Sequence, residues 1–484
     1  MAEIPDVTLN ELQNALGIVP AGADEIMVVI GCSSKGPLNT PATYGDPTSL
    51  VADFGYGPMV EEAALSLNDG GTAVTVIRTP STVAGAAGTT ITSGVTGTAA
   101  AHAAIGGAAL DAFDVKVLII TGGTLGTTGI TFQWSLDAVG NMSPTTALGT
   151  ALTYTIPNSG VVITFGLSTE TLAAGDVFFA PTTEPKWASA DLTAAFAALS
   201  AGSQAFGFVQ IAGPVSASEA ATIATALDGL RSSHKGTWCL VGARGPNVAE
   251  SESTWIAALE SDYAATFRTD LPVCAGTWRV TSPISGRVYN RRITGAVGAR
   301  FVRIPVHIDA AKVALGPLTG GTLFDSNKNL KGHDERVRPG LTAANFITLR
   351  TFTITGQAAY ITNPCLMSAP GSDFDLVQKR RVMNVVERVL YFFSVTLDLS
   401  AEGTVDPETG FISETAARDI EIDIREALKT ALGPAISNPD DPALFILSRT
   451  DPVLTNGGKL TGSSRVTPLF YIKGLTISVG FKNA

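Results

Sequence analysis

The scarcest commodity in this chain is charge: Asp, Glu, Lys and Arg make up 15% of its 484 residues, against about a quarter in an ordinary soluble domain. Much of its surface must be covered by Gly, Ala, Ser and Thr or by other protein. That fits a packed assembly and equally a weakly charged β protein. The net charge of −11 argues against nucleic acid as a partner, which needs an excess of Lys and Arg. Cysteine is nearly absent. Cys32, Cys239, Cys274 and Cys365 are scattered without a Cys-x-x-Cys or a Cys/His ligand spacing, which argues against a disulfide framework or a zinc site and for buried free thiols. No apolar run reaches the ~18 residues of a spanning helix. The first basic residue is Lys35, too late for the charged start of a secretory signal, so neither membrane insertion nor standard secretion is expected.

Catalytic patterns are missing too. Gly31-Cys-Ser-Ser-Lys-Gly36 follows a buried strand, as a phosphate loop would, but lacks the Gly-Lys-Ser/Thr ending and its spacing. Gly122-Gly123-Thr-Leu-Gly126 precedes no helix and reads as a turn, not a dinucleotide cradle. There is no Gly-x-Ser-x-Gly elbow and no His-Glu-x-x-His. His102, His234, His307 and His333 are isolated from one another and from Cys, which suits surface or satisfied core histidines. Asp373/Asp375 and Glu421/Asp423 are explained by helix capping and a solvated face, and Asp406 to Gly410 has a turn composition. No enzyme, cofactor or metal is expected.

What is present is an ordered series of elements. Glu25 to Ile30 reads as a buried strand, Asp46–Phe54 and Glu61–Asn68 as helices, and Thr72 to Thr79 as the next strand. Pro80 to Pro185 is rich in Thr, Gly, Ala and Val, with short apolar runs at hairpin intervals, the pattern of an inserted all-β module. From Asp191 helices alternate with buried strands at Phe206–Ile211, Trp238–Gly242 and Val273–Thr277, which implies a parallel or mixed sheet. Pro283 to Gly340 looks irregular. Six arginines (279, 287, 291, 292, 300 and 303) stand between Leu271 and Ile308 without a single acid, a basic zone that requires an acidic partner. Two helices follow, Phe374–Phe393 capped by Ser372 and Phe411–Leu432 capped by Ser413, the second with outer pairs Glu414/Arg418 and Glu421/Arg425. Ala443–Ser448 and Val466–Ile472 read as strands. Both ends of the chain look unpartnered. Ile4, Val7, Leu9, Leu12 and Leu16 lie on a piece too short to fold alone. Leu475, Ile477, Val479 and Phe481 alternate with small or polar residues, as on a strand with one buried face.

This order of segments resembles that of contractile phage tail sheath proteins. Ile30-Gly31 running into Lys35-Gly36-Pro37-Leu38-Asn39-Thr40-Pro41, then Gly70-Gly71 and a strand ending in Arg78, looks like their opening. Gln378-Lys-Arg-Arg-Val-Met383 looks like their Arg-Arg-Val/Leu helix. The resemblance covers residues 1–80 and 186–484 and departs at Pro80–Pro185. It implies a multidomain α/β (α+β) fold: a mixed-sheet core, an inserted all-β outer domain, and N- and C-terminal arms that exchange strands between subunits. The expected division is an arm at 1–24, core at 25–80 and 186–370, the insertion at 81–185, an inner tube-proximal domain at 371–464 and a terminal arm at 465–484. The function implied is that of a sheath subunit, stacked in rings as a helical homo-oligomer around an inner tail tube. Baseplate and tail terminator proteins are its further partners, without nucleic acid or membrane insertion. The setting is a virion tail assembled in the host cytoplasm. Lys379, Arg380, Arg381, Arg418 and Arg425 are the expected tube contacts. Other self-assembling virion or surface proteins, and an α/β enzyme with a β accessory domain, remain as alternatives.

Overall fold

The computed structural model describes residues 25–138, 141–247, 249–396, 404–455 and 460–473; the arm at 1–24 and residues 474–484 of the terminal arm, including the strand expected at Leu475–Phe481, lie outside them. The centre is a seven-stranded sheet in the order Ala42–Tyr44, Val74–Thr79, Met27–Cys32, Phe208–Pro214, Cys239–Gly242, Val273–Cys274, Phe346–Ile347. All pairings are parallel except the first, where Ala42–Tyr44 runs antiparallel at the edge. A parallel strand is covered on both faces and reads as a continuous apolar run; Met27–Cys32 is buried throughout. Met27 and Val29 face one layer and Val28 and Ile30 the other.

Helices α1 (Pro47–Phe54), α2 (Pro58–Asn68) and α6 (Thr294–Val302) fill the first layer, with Met59, Val60, Ala63, Val297 and Phe301. Helices α3 (Ser189–Ala201), α4 (Ala217–Ser232) and α5 (Glu252–Tyr263) fill the second, with Phe196, Ile223, Leu227 and Trp255. Local chemistry sets their starts. Asp46 accepts from the Ser49 N–H at 2.9 Å, and Ser216 forms a reciprocal capping box with Glu219.

Between Val83 and Lys186, which pair with each other, the chain forms antiparallel sheets. Five strands are ordered Ile91–Ser93, Val177–Pro181, Asp114–Thr121, Thr131–Ser135, Thr146–Ala147. Beside them lies a three-stranded sheet of Thr153–Thr155, Val161–Thr164 and Ala104–Gly107. Val117, Ile119, Phe132, Phe165 and Phe178 give this module its own core.

The structure corrects several sequence expectations. The strand expected over Val273–Thr277 breaks at Gly276, whose φ of 113° suits only glycine. Val273–Cys274 stays in the main sheet while Thr277–Thr281 joins Val288–Arg292 and Gly321–Thr322 in another. The stretch 283–340 is thus not irregular throughout: it holds the strands Val288–Arg292 and Gly321–Thr322 and α6. Its pattern was hidden because Arg291 and Arg300 are buried, whereas hydropathy reads arginine as surface.

Helix α7 (Val377–Thr396) starts later than the expected Phe374. Cys365 bridges Leu376 and the Leu366 N–H donates to the Asp375 carbonyl, so those residues are committed to strand-like pairing and Ser372 does not cap the helix. Helix α8 (Glu414–Leu432) begins at its expected cap, Ser413, one turn inside the broader span. Between α7 and α8 Val382, Val386, Ala417, Ile424 and Leu428 form a further core. Ile446–Leu447 pairs with Gly462–Ser463. Val466–Ile472, expected as a strand, has among the described residues only an isolated bridge between Pro468 and Ile436.

Candidate assembly surface and the buried ion network

Helix α7 carries Lys379, Arg380 and Arg381 on its first turn, and the three part company. Arg381 is 3% exposed and donates to the carbonyls of Phe301, Ile304 and Pro305 at 3.1, 2.9 and 3.3 Å. Arg380 is 4% exposed and is held by Asn384 and Glu387, each at 2.6 Å. Burial lowers the pKa of Arg380, partly offset by Glu387. Both guanidiniums, expected as tube contacts, are engaged by groups of this same chain. Lys379 stays on the surface, paired with Asp375 at 2.7 Å.

On α8, Glu414 and Arg418 form the expected pair, 2.7 Å apart and exposed. The expected pair Glu421/Arg425 does not form between side chains. Glu421 points inward, accepts from the Leu447 N–H at 2.8 Å and is bound twice by Arg449, at 2.7 and 3.1 Å. Arg425 folds back onto the Glu421 carbonyl. Sequence reading missed Arg449 because it lies 28 positions away. The outward face of α8 presents Arg418, Asp419, Ile422, Asp423 and Glu426.

Beyond α8 the chain runs along the loop at residues 306–309. Tyr471 donates to the His307 carbonyl, and Lys473 is bound to Asp309 and Asn363. The alternate side chains, Phe470 and Ile472, are 85% and 78% exposed. Exposed apolar groups placed together mark contact surfaces. Ile4, Val7, Leu9, Leu12 and Leu16 of the first arm lie outside the described residues, as do Leu475, Ile477, Val479 and Phe481 of the last.

The basic zone finds its acidic partner within the same chain. Arg291 donates to Asp111 at 3.1 and 3.2 Å and to the Pro58 carbonyl at 2.9 Å. Arg287 binds the same Asp111 carboxylate, and Arg292 pairs with Glu184 at 2.6 Å. Glu61 and Glu62 of α2 complete the cluster, and burial pushes both carboxyls up, Glu61 despite Arg287 and Arg291 and Glu62 despite Arg291 and Arg292. Burial would raise Asp111 as well, but Arg291 and Arg287 outweigh it and hold its pKa down. The network ties the β module to the core.

The loop Ser33–Gly36 turns the carbonyls of Ser33 and Gly36 toward Arg78, at 2.9 and 2.6 Å. Its backbone therefore serves a cation, the opposite of a phosphate cradle. Among the described residues no cluster of three metal-ligating side chains occurs, no helix is long and apolar enough to cross a membrane, and all four cysteines are buried and free.

No curated protein matches the sequence. Among solved structures, the helical sheath of the anti-feeding prophage (AFP) in its contracted state is similar at 10% identity, over 99% of this chain and 99% of that one, with a TM-score of 0.50. The sheath complex of PVC, an extracellular contractile injection system, also in the contracted state, is similar at 10% identity over 99% and 98%, again at 0.50. At such identity the likeness is one of fold, and it spans the chain end to end. A family model described as DUF2586, N-terminal domain, matches residues 4–358, and the chain belongs to the DUF2586 family.

Proposed function

We propose that the chain is the structural subunit of a contractile sheath, polymerising as a helical sleeve around an inner tube and contracting to drive that tube through a target envelope. The observation that carries this reading is the whole-chain likeness of fold to two sheaths in the contracted state, covering 99% of the chain in each case. Exposed Phe470 and Ile472, on the segment leading to Leu475–Phe481, support a chain end that is completed by a neighbour. The arms at 1–24 and 465–484 add strands to sheets of other copies, where main-chain ladder bonds act as hinges that survive subunit rotation. The work is stored in a metastable extended lattice and released as subunits rotate into larger contacts; no nucleotide is consumed. Lys379, Arg418 and Arg425, with the outward face of α8, meet the tube through screened ion pairs weak enough to release. Baseplate and terminator proteins bound the sleeve in a virion tail built in the host cytoplasm.

Electron microscopy of the purified protein tests the reading. Hollow sleeves of wide bore are the expected outcome, and deletion of residues 1–24 or 475–484 is expected to leave a soluble monomer. Sleeves formed by either truncated chain would overturn strand exchange. A discrete particle with enzymatic turnover would overturn the sheath.

A further inference from the structure

Where the β module meets the core lies an open cleft of about 360 Å³. That is a size for small ligands, and a junction between two packed units is a common place for one. Its lining joins two chemistries. Tyr56 from the core and Phe113 and Trp134 from the module supply three aromatic rings, while Glu61, Asp111 and Asp137 supply carboxyls that are 5%, 2% and 2% exposed. Among the described residues Arg287 is the sole cation of the lining, and it is spent: it binds Asp111 and the Ala112 carbonyl and lies over the Phe113 and Tyr289 rings. Asp137 is spent as well, on Ser135, Asn141 and the Val288 N–H.

Glu61 differs from both. Among the described residues its carboxyl accepts from the Ser282 hydroxyl, at 2.9 and 3.1 Å, while Arg287 stands off at 3.9 Å. A buried carboxylate is costly without a close counter-charge, and burial pushes this one up. A ligand bringing a cation to Glu61 would supply what the ionised form lacks, and aromatic faces attract the same group.

We propose that this cleft binds a small organic cation, an ammonium or guanidinium group on an apolar stem, with its charge against Glu61 and its stem between Tyr56 and Trp134.

The full chain is titrated with benzylammonium, with neutral benzyl alcohol of the same shape, and with benzoate, and binding is followed by calorimetry. Benzylammonium is expected to bind saturably and about tenfold more tightly than benzyl alcohol, and benzoate not at all. Glu61→Gln removes the preference for the cation, while Tyr56→Leu weakens cation and alcohol together. Absence of binding by benzylammonium, equal binding of cation and alcohol, or a preference that survives Glu61→Gln overturns the proposal. Should Glu61→Gln fail to fold, the ranking of the three probes on the unsubstituted chain and the effect of Tyr56→Leu decide it. Assembly plays no part in the measurement, so its result is separate from that of the sleeve experiment.

Discussion

Arg291 donates through one nitrogen to both carboxylate oxygens of Asp111, at 3.1 and 3.2 Å, across 180 positions of sequence. Asp111 belongs to the β module and Arg291 to the core hairpin, so the bond exists only while the two are packed together. Asp111→Asn keeps the shape but leaves Arg287 and Arg291 short of counter-charge in a dry place. Breaking a buried pair from one side costs about 3–5 kcal/mol. The urea midpoint is expected to fall by a corresponding amount, with faster amide exchange around Val83 and Lys186. A midpoint that stays put would mean that the pair contributes little beyond its own desolvation.

His333 provides a pH dependence. It is buried between two carboxylates, Glu252 at 2.8 Å and Glu335 at 2.9 Å, with Arg338 also on Glu252 and the Trp255 ring edge-on at 5.6 Å. Burial by itself would lower its pKa, but the bonds to Glu335 and Glu252 prevail and hold it above the ordinary value of about 6.5. A group raised in the folded state stabilises fully below its unfolded pKa and loses that contribution as pH rises through the folded one. Thermal stability should therefore decline from pH 6.5 upward. His333→Gln should flatten that slope and cost about 1.5–3 kcal/mol at pH 6; a mutant with the same slope as the parent would assign the pH dependence elsewhere.

Gly298 sits inside α6, where alanine normally gains about 1 kcal/mol over glycine. Here an added Cβ would stand 1.9 Å from the Gln210 side-chain oxygen and 3.1 Å from the Met27 sulfur. Gln210 is itself held by Glu62 at 2.6 Å and cannot swing away without breaking that bond. Overpacking of about 1–3 kcal/mol outweighs the helix gain, so Gly298→Ala is expected to lower the melting temperature. A rise would show that Gln210 has another rotamer.

Arg381 and Lys379 are two positions apart and should behave as opposites. Arg381→Met strands three carbonyls that now share its guanidinium and is expected to cost about 1.5–3 kcal/mol. Lys379→Met, on the surface with one exposed ion pair, should stay within about 0.5 kcal/mol. Denaturation of the two variants side by side checks this; a comparable loss in Lys379→Met would mean that its pair with Asp375 matters to the fold.

Legibility in the sequence followed the kind of force involved. The buried run read at Glu25–Ile30, which overlaps the strand Met27–Cys32, and the cap Ser413 were readable because burial and capping act over a few residues. Arg287, Arg291 and Arg292 could be read as needing acid, but which acid depends on tertiary contact with Glu61, Asp111 and Glu184. The surroundings of the Lys379–Arg381 triplet were hidden for the same reason. A charged triplet on a helix reads as surface, and only the carbonyls of Phe301, Ile304 and Pro305, some eighty positions away, make Arg381 a core residue. The cleft at Tyr56, Glu61 and Trp134 has no local signal, since it is assembled by the packing of two units.

The pairing of Val83 with Lys186 bears on heredity. The chain leaves and re-enters the core at neighbouring points, and paired strands lie about 5 Å apart, so a gene that lost everything between them could be rejoined with a residue or two. Such a deletion would still strip Asp111 from Arg287 and Arg291. Descendants that shed or swap the module should therefore change those two arginines in the same lineage, or carry a new acid in reach of them.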